Sequence, residues 1–178
     1  MKIQVGVIGP AEEEYSSDKK MREKIEITAE RLGELVAESG AVLFTGGMSG
    51  VMEAASRGAK KKGGLTIGTP GRDRGISNKY VDVEICTPID IGDFLFAGTW
   101  SCDAIIVVPG SAGTLAEMCL AYRAKKPIIV LRGFDEIYEK WIDNYIDEGK
   151  FVKILGTETP EEAVEMAIKI AKLNLNKK

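Results

Sequence analysis

The segment Ala104-Ile105-Ile106-Val107-Val108 is apolar at five consecutive positions and passes directly into Pro109-Gly110-Ser111-Ala112-Gly113. A strand with one wet face alternates apolar and polar side chains. An unbroken apolar run therefore means that both faces are covered, as in a parallel sheet between two layers of helices. The pattern recurs along the chain. Strands are expected at Ile3–Gly9, Ala41–Thr45, Leu65–Thr69, Val81–Cys86, Ala104–Val108, Ile128–Leu131 and Val152–Leu155. Helices are expected between them at 18–39, 51–62, 91–102, 114–125 and 136–147, and a last one from Pro160, a residue suited to a first helical position. Such alternation builds right-handed βαβ units. The fold class is therefore α/β: a three-layer αβα, doubly wound, Rossmann-like arrangement with a mostly parallel sheet of about 6 to 7 strands, spanning residues 1–178 as one domain. The stretch 70–80 is irregular, and the tail from Leu173 is expected to fray.

Composition removes several function classes. The chain has 178 residues, 44 % hydrophobic and 29 % charged, with a formal net charge of −3, so it can bury its own core and offers no basic surface for nucleic acid. Its one sharp basic run, Lys60-Lys61-Lys62, falls at a helix end and complements the helix dipole there. Cys86, Cys102 and Cys119 lack a CxxC spacing, so neither a disulfide framework nor a zinc site is implied, and a reducing compartment suits them. Histidine is absent, which removes imidazole bases, Ser-His-Asp and Cys-His triads, and the commonest metal ligand. No apolar run approaches the roughly 20 residues of a membrane span, and the first strand starts almost at Met1, without room for a signal peptide. A cytoplasmic protein with no membrane partner and no metal is expected.

The chemistry is carried by two turns. In a parallel sheet every strand-to-helix turn emerges at the carboxyl ends of the strands, so Gly46-Gly47-Met48-Ser49-Gly50 and Gly110-Ser111-Ala112-Gly113-Thr114 must lie on one rim, with Gly9 ending the first strand beside them. Glycines allow close backbone approach, and the unpaired N–H groups at a helix start attract anions. The expected guest is a phosphorylated small molecule. GxGxxG and GxxxxGK[ST] are both missing, so the ordinary dinucleotide and ATP-hydrolysis loops are excluded.

The segments GGMSGVMEAASRGAKKKGG (46–64) and PGSAGTLAE (109–117) resemble the paired motifs of the Lonely Guy (LOG) and molybdenum-cofactor-carrier-like superfamily, once labelled "possible lysine decarboxylase". The similarity extends to NKYVD at 78–82 and KPIIVL at 126–131, and leans toward the cofactor-carrier branch. It implies a bound AMP-like nucleotide or molybdenum cofactor as ligand, no cofactor required beyond that, and a homo-oligomer, dimer or tetramer, with Phe94, Phe96 and Trp100 near the subunit contact. LOG enzymes cleave nucleoside 5′-monophosphates at the N-glycosidic bond with a PGGxGTxxE loop. Here Gly110, Gly113, Thr114 and Glu117 match that loop and Ser111 replaces a glycine. The arginine of the preceding helix is replaced near Phe94 or Leu95, and Arg72, Arg74 or Lys79 would have to clamp the phosphate instead.

Three readings follow. In the first, the chain binds or carries a nucleotide or pterin-type phosphate. In the second, it is a phosphoribohydrolase in which Glu117 stabilises the developing sugar cation. Thr114-x-x-Glu117 is also a capping box, which gives Glu117 a purely structural alternative. The third, lysine decarboxylation, is set aside because nothing marks a pyridoxal-phosphate lysine with its supporting acid.

Overall fold

The structure, a computed structural model, describes residues 1–88 and 97–176. Seven strands form one sheet: β1 Gln4–Ile8, β2 Val42–Thr45, β3 Thr66–Gly68, β4 Val83–Glu84, β5 Ala104–Val107, β6 Ile128–Leu131 and β7 Leu155–Thr157. Their order is β4-β3-β2-β1-β5-β6-β7, and every pairing is parallel. The helices are α1 Lys19–Glu38, α2 Val51–Lys61, α3 Ala97–Ser101, α4 Ala112–Arg123, α5 Glu136–Glu139 and α6 Pro160–Leu175. The doubly wound, Rossmann-like fold read from the sequence is the observed one.

Strand alternation sorts the core into two layers. On one face Val5, Val7, Ala104, Ile106, Ile129 and Leu131 pack with Ile25, Ala29 and Leu32 of α1, Val51 and Ala55 of α2, and Ala163 and Ala167 of α6. On the other, Ile8, Ile105, Val107, Ile128 and Val130 pack with Met118, Ala121 and Tyr122 of α4, together with Tyr138. All four residues of β5 and of β6 are buried, as the unbroken apolar runs require.

Small residues set the spacing of the first layer. A Cβ on Gly33 would collide with the Ala55 carbonyl, and one on Gly58 with the Glu30 carbonyl, so α1 and α2 approach backbone to backbone. Arg57 bridges the same pair, donating to Glu30 at 2.6 Å and to Glu26 at 3.0 Å. The basic run at the end of α2 is taken up by Lys60–Asp82 at 2.6 Å, Lys61–Glu30 and Lys62–Glu38 at 2.7 Å.

Several boundaries differ from the sequence reading. The helix expected at 136–147 is the single turn α5, because Asp143 adopts φ +64° and its N–H turns back to the Ile154 carbonyl at 2.8 Å. The last strand starts at Leu155 rather than at Val152, and β4 is only two residues long. Pro160 does open α6, behind a Thr159 cap whose hydroxyl accepts from Glu162 N–H at 3.2 Å, and the helix holds to Leu175 instead of fraying from Leu173. Of the helix expected at 91–102, Ala97–Ser101 is observed; its first part, with Phe94, Leu95 and Phe96, lies outside the described residues. Among the described residues no helix is long and apolar enough to cross a membrane.

Candidate functional site

The chain order reverses at β1. The connection after β1 leads to β2 on one side, whereas β5 lies on the other, so the turns after β2, β1 and β5 sit side by side at the carboxyl rim. A crevice at such a switch point is where open α/β sheets receive ligands. The two glycine turns therefore share a rim, with the segment after β1 wedged between them. Gly50 has φ +65°, and a Cβ there would stand 2.5 Å from the Pro10 carbonyl oxygen and 2.6 Å from Glu12 N. On the other flank, a Cβ on Gly110 would stand 3.0 Å from Pro10 Cγ.

The two turns are not equivalent. Gly46, Gly47 and Gly50 are buried, Ser49 is half-buried, and only Met48 is exposed. This turn is tied to the segment after β1: Val51 N–H donates to the Pro10 carbonyl at 3.1 Å, Ser49 Oγ accepts from Glu12 N–H at 3.2 Å, and Ser49 Oγ–H donates to Glu13 at 3.2 Å. From the loop 70–80, Asn78 reaches across to it. Its backbone N–H donates to the Gly47 carbonyl at 2.8 Å, and its side-chain amide donates to the Gly47 and Met48 carbonyls at 3.0 and 2.8 Å. Asn78 lay inside a quoted motif, NKYVD, but nothing in the spacing announced that it would brace the turn. Gly9 is buried with its missing side chain filled by Val51, whose Cγ1 would lie 2.7 Å from a Cβ.

The turn after β5 is open. Gly110, Ala112 and Gly113 are exposed and Ser111 is half-buried, whereas Thr114 is buried. Ser111, not Thr114, is the cap of α4: it has extended φ/ψ of −142° and 161°, and its Oγ accepts from Thr114 N–H at 3.2 Å. The capping box read as Thr114-x-x-Glu117 is thereby overturned, since Thr114 is already the third helical residue and Glu117 lies a turn further on. Leu115 N–H returns to the Ser111 carbonyl at 3.0 Å. Among the described residues the N–H groups of Ala112 and Gly113 have no acceptor, leaving two amides at the positive end of a 12-residue helix. From behind, the Tyr138 hydroxyl donates to the Ser111 carbonyl at 2.5 Å, and burial pushes its pKa up to about 12.

Glu117 follows from α4. The residue as a whole is part-exposed, and its carboxyl has no hydrogen-bond partner among the described residues. Burial, with the Glu14 carboxylate adding to it, pushes its pKa up to about 8. Glu14 is a further residue that the sequence did not mark: its Oε2 accepts from Ala11 N–H at 3.0 Å, and its Oε1 lies 4.0 Å from the place of a Gly113 Cβ. The three loop cations are exposed. Arg72 donates to the Pro88 carbonyl at 3.2 Å, Arg74 lies near Glu84, and Lys79 Nζ stands 5.2 Å from the Tyr80 ring centre. Glu84 itself is held below the usual carboxylate range by the Gly75 and Ser77 amides, at 2.7 and 2.9 Å, which fastens the base of this loop.

Among the described residues, two hollows border the rim. One, of about 300 Å³, is lined by Pro10, Glu14, Pro109, Gly110 and Phe134 among others; a second, of about 560 Å³, runs between α1 and α2 past Gly50, Glu53 and Arg57. Neither is lined by both glycine turns.

A parallel sheet reversing at β1, with glycine turns on both flanks of that strand, defines the class: a Rossmann-like protein of the LOG and molybdenum-cofactor-carrier-like superfamily. More narrowly, the chain belongs to the SLOG cluster4 family, which matches residues 2–164. It is 36 % identical over 166 residues to an uncharacterized protein of Archaeoglobus fulgidus, across 93 % of this chain and 95 % of that one. Among solved structures it is similar to the molybdenum cofactor binding protein of the phototrophic bacterium Rippkaea orientalis, at 32 % identity and TM-score 0.79, covering 96 % of this chain and 98 % of that one. It is likewise similar to the molybdenum cofactor carrier protein of Chlamydomonas reinhardtii, at 28 % identity and TM-score 0.81, covering 97 % and 99 %.

Proposed function

We propose that the protein binds a phosphorylated small molecule, a molybdenum-cofactor-type pterin phosphate or an AMP-like nucleotide, and holds it without chemical change. The observation that carries this reading is the pair of acceptor-free amides, Ala112 and Gly113, exposed at the start of α4 on the switch-point rim. A phosphate oxygen there receives two N–H donors and the helix dipole at once. The Gly46–Gly50 turn serves as the wall of the site, and Asn78 ties it to the loop that carries the exposed cations Arg72, Arg74 and Lys79. The similarity to two cofactor-binding proteins over nearly the whole chain supports the pterin phosphate as cargo.

The alternative is a phosphoribohydrolase acting through Glu117. A sugar cation is stabilised by a carboxylate, and a carboxyl whose pKa is pushed up to about 8 carries little negative charge at neutral pH. The raised pKa therefore favours the binding role. A homo-oligomer is also proposed, since Trp100 on α3 is 65 % exposed, a large apolar area for a ring of that size to leave in water.

Calorimetry with molybdopterin, AMP and inorganic phosphate, in parallel with an assay for free base released from nucleoside monophosphates, separates the two roles. Saturable binding without base release is expected. Base released above background by the wild type and abolished in Glu117→Gln would establish the hydrolase instead.

A further inference from the structure

The 300 Å³ hollow beside Gly110 has a composition that fixes what it can hold. Its apolar wall is Pro10, Met21, Ile25, Pro109 and Phe134, which suits the faces of a flat ring system. Its polar side chains include the carboxylates of Glu14, Asp18 and Asp135, and neither lysine nor arginine is in the lining. The nearby Lys24 is spent elsewhere: its Nζ donates to the Gly133 carbonyl at 2.7 Å and stacks 4.3 Å from the Phe134 ring centre. A phosphate has no counter-charge in this hollow and three carboxylates to repel it.

Of the three, Asp18 and Asp135 each cap a helix start, accepting from Lys20 N–H at 2.9 Å and from Ile137 N–H at 2.8 Å. Glu14 is placed differently. One oxygen is held by Ala11 N–H at 3.0 Å, which fixes the carboxylate, and the other borders the first turn of α4 at Gly113, where the acceptor-free amides lie. Glu14 therefore stands between the hollow and the phosphate turn.

We propose that this hollow seats the heterocycle of the ligand, and that Glu14 selects a ring with adjacent N–H donors, such as the 2-amino-4-oxo edge shared by guanine and pterins, over an adenine-type ring. An ionised carboxylate is an acceptor only. Two neighbouring N–H donors satisfy it, whereas the amino group of adenine comes paired with a ring-nitrogen acceptor that would face a negative oxygen without a proton between them. The discrimination therefore has an attractive and a repulsive part. The inference rests on the phosphate site at Ala112 and Gly113, and it assigns the other end of the same ligand.

The test is calorimetry on the intact protein with GMP, AMP, guanosine, adenosine and ribose 5-phosphate. GMP is expected to bind at least about tenfold tighter than AMP, and guanosine to be preferred over adenosine by a similar ratio. Glu14→Gln keeps an oxygen for Ala11 N–H, presents an amide donor and removes a negative charge beside Gly113, so it should erase the preference while strengthening ribose 5-phosphate binding. Phe134→Ala should weaken both nucleotides and spare ribose 5-phosphate. Equal affinities for GMP and AMP in the wild type would overturn the assignment, as would a Glu14→Gln variant that loses ribose 5-phosphate as much as it loses GMP. A failure of ribose 5-phosphate to bind the wild type removes the phosphate turn. The guanosine-to-adenosine ratio then judges the hollow independently.

Discussion

Asn78 grips the Gly47 carbonyl twice, with its backbone N–H at 2.8 Å and its side-chain amide at 3.0 Å. This contact ties the irregular loop 70–80 to the glycine turn after β2. Asn78→Ala removes the side-chain bond and the one to Met48, leaving the buried turn short of a donor. A loss of roughly 1 to 3 kcal/mol in denaturant unfolding is expected, with weaker ligand binding on top of it. Unchanged unfolding would mean that the turn stands without this brace.

Tyr138 does the same for the open turn. Its hydroxyl donates to the Ser111 carbonyl at 2.5 Å from a position 2 % exposed, so Tyr138→Phe leaves that carbonyl with the Leu115 N–H alone. About 1 kcal/mol of stability should be lost, together with affinity for inorganic phosphate, because the cap residue of α4 loses its tie to the rest of the fold. Titration calorimetry of the variant reads the second effect separately from the first.

Glycine in α1 and α2 is a packing requirement and carries no part of the binding. A Cβ on Gly58 would collide with the backbone of Glu30, so Gly58→Ala must push the helices apart. Overpacking of this kind costs about 1 to 3 kcal/mol. Binding per folded molecule should be unaltered, and thermal unfolding followed by a binding titration at low temperature checks both statements.

Glu117 gives the protein a pH dependence of definite sign. When unfolded it ionises near its ordinary 4.5, and when folded it keeps its proton up to about 8. Between those values the native state binds a proton that the unfolded chain has released. This contribution to stability is therefore intact below about pH 4.5 and is lost as pH rises toward 8. Glu117→Gln has no such group, so it should gain on the wild type steadily across that window. Parallel denaturation curves at pH 5 and pH 8 test this, and an unchanged difference would show that the carboxyl ionises at its ordinary value.

What the sequence made legible was what repeats. Unbroken apolar strands such as Ala104–Val107, the 3.6-residue spacing of Ile25, Ala29, Leu32 and Val36, and the parallel-sheet rule together place both glycine turns on one rim. Local chemistry decided the remainder. The helix expected at 136–147 stops after one turn, and the positive φ at Asp143 redirects the chain toward Ile154. The cap of α4 is Ser111 rather than Thr114, a three-residue shift of the helix start that leaves no trace in hydrophobic periodicity. Asn78, Glu14 and Tyr138 act on residues 31, 99 and 27 positions away, in the last two cases Gly113 and Ser111 of α4 and its cap, and such contacts exist only once the sheet order is known.

Amide chemical shifts followed by NMR during titration with ribose 5-phosphate report most directly on whether the rim holds phosphate. Saturable shifts are expected at Gly110 to Leu115, largest at Ala112 and Gly113, with smaller ones in the Gly46–Gly50 wall. Shifts that fail to saturate, or that gather away from the start of α4, would contradict a phosphate site on this rim.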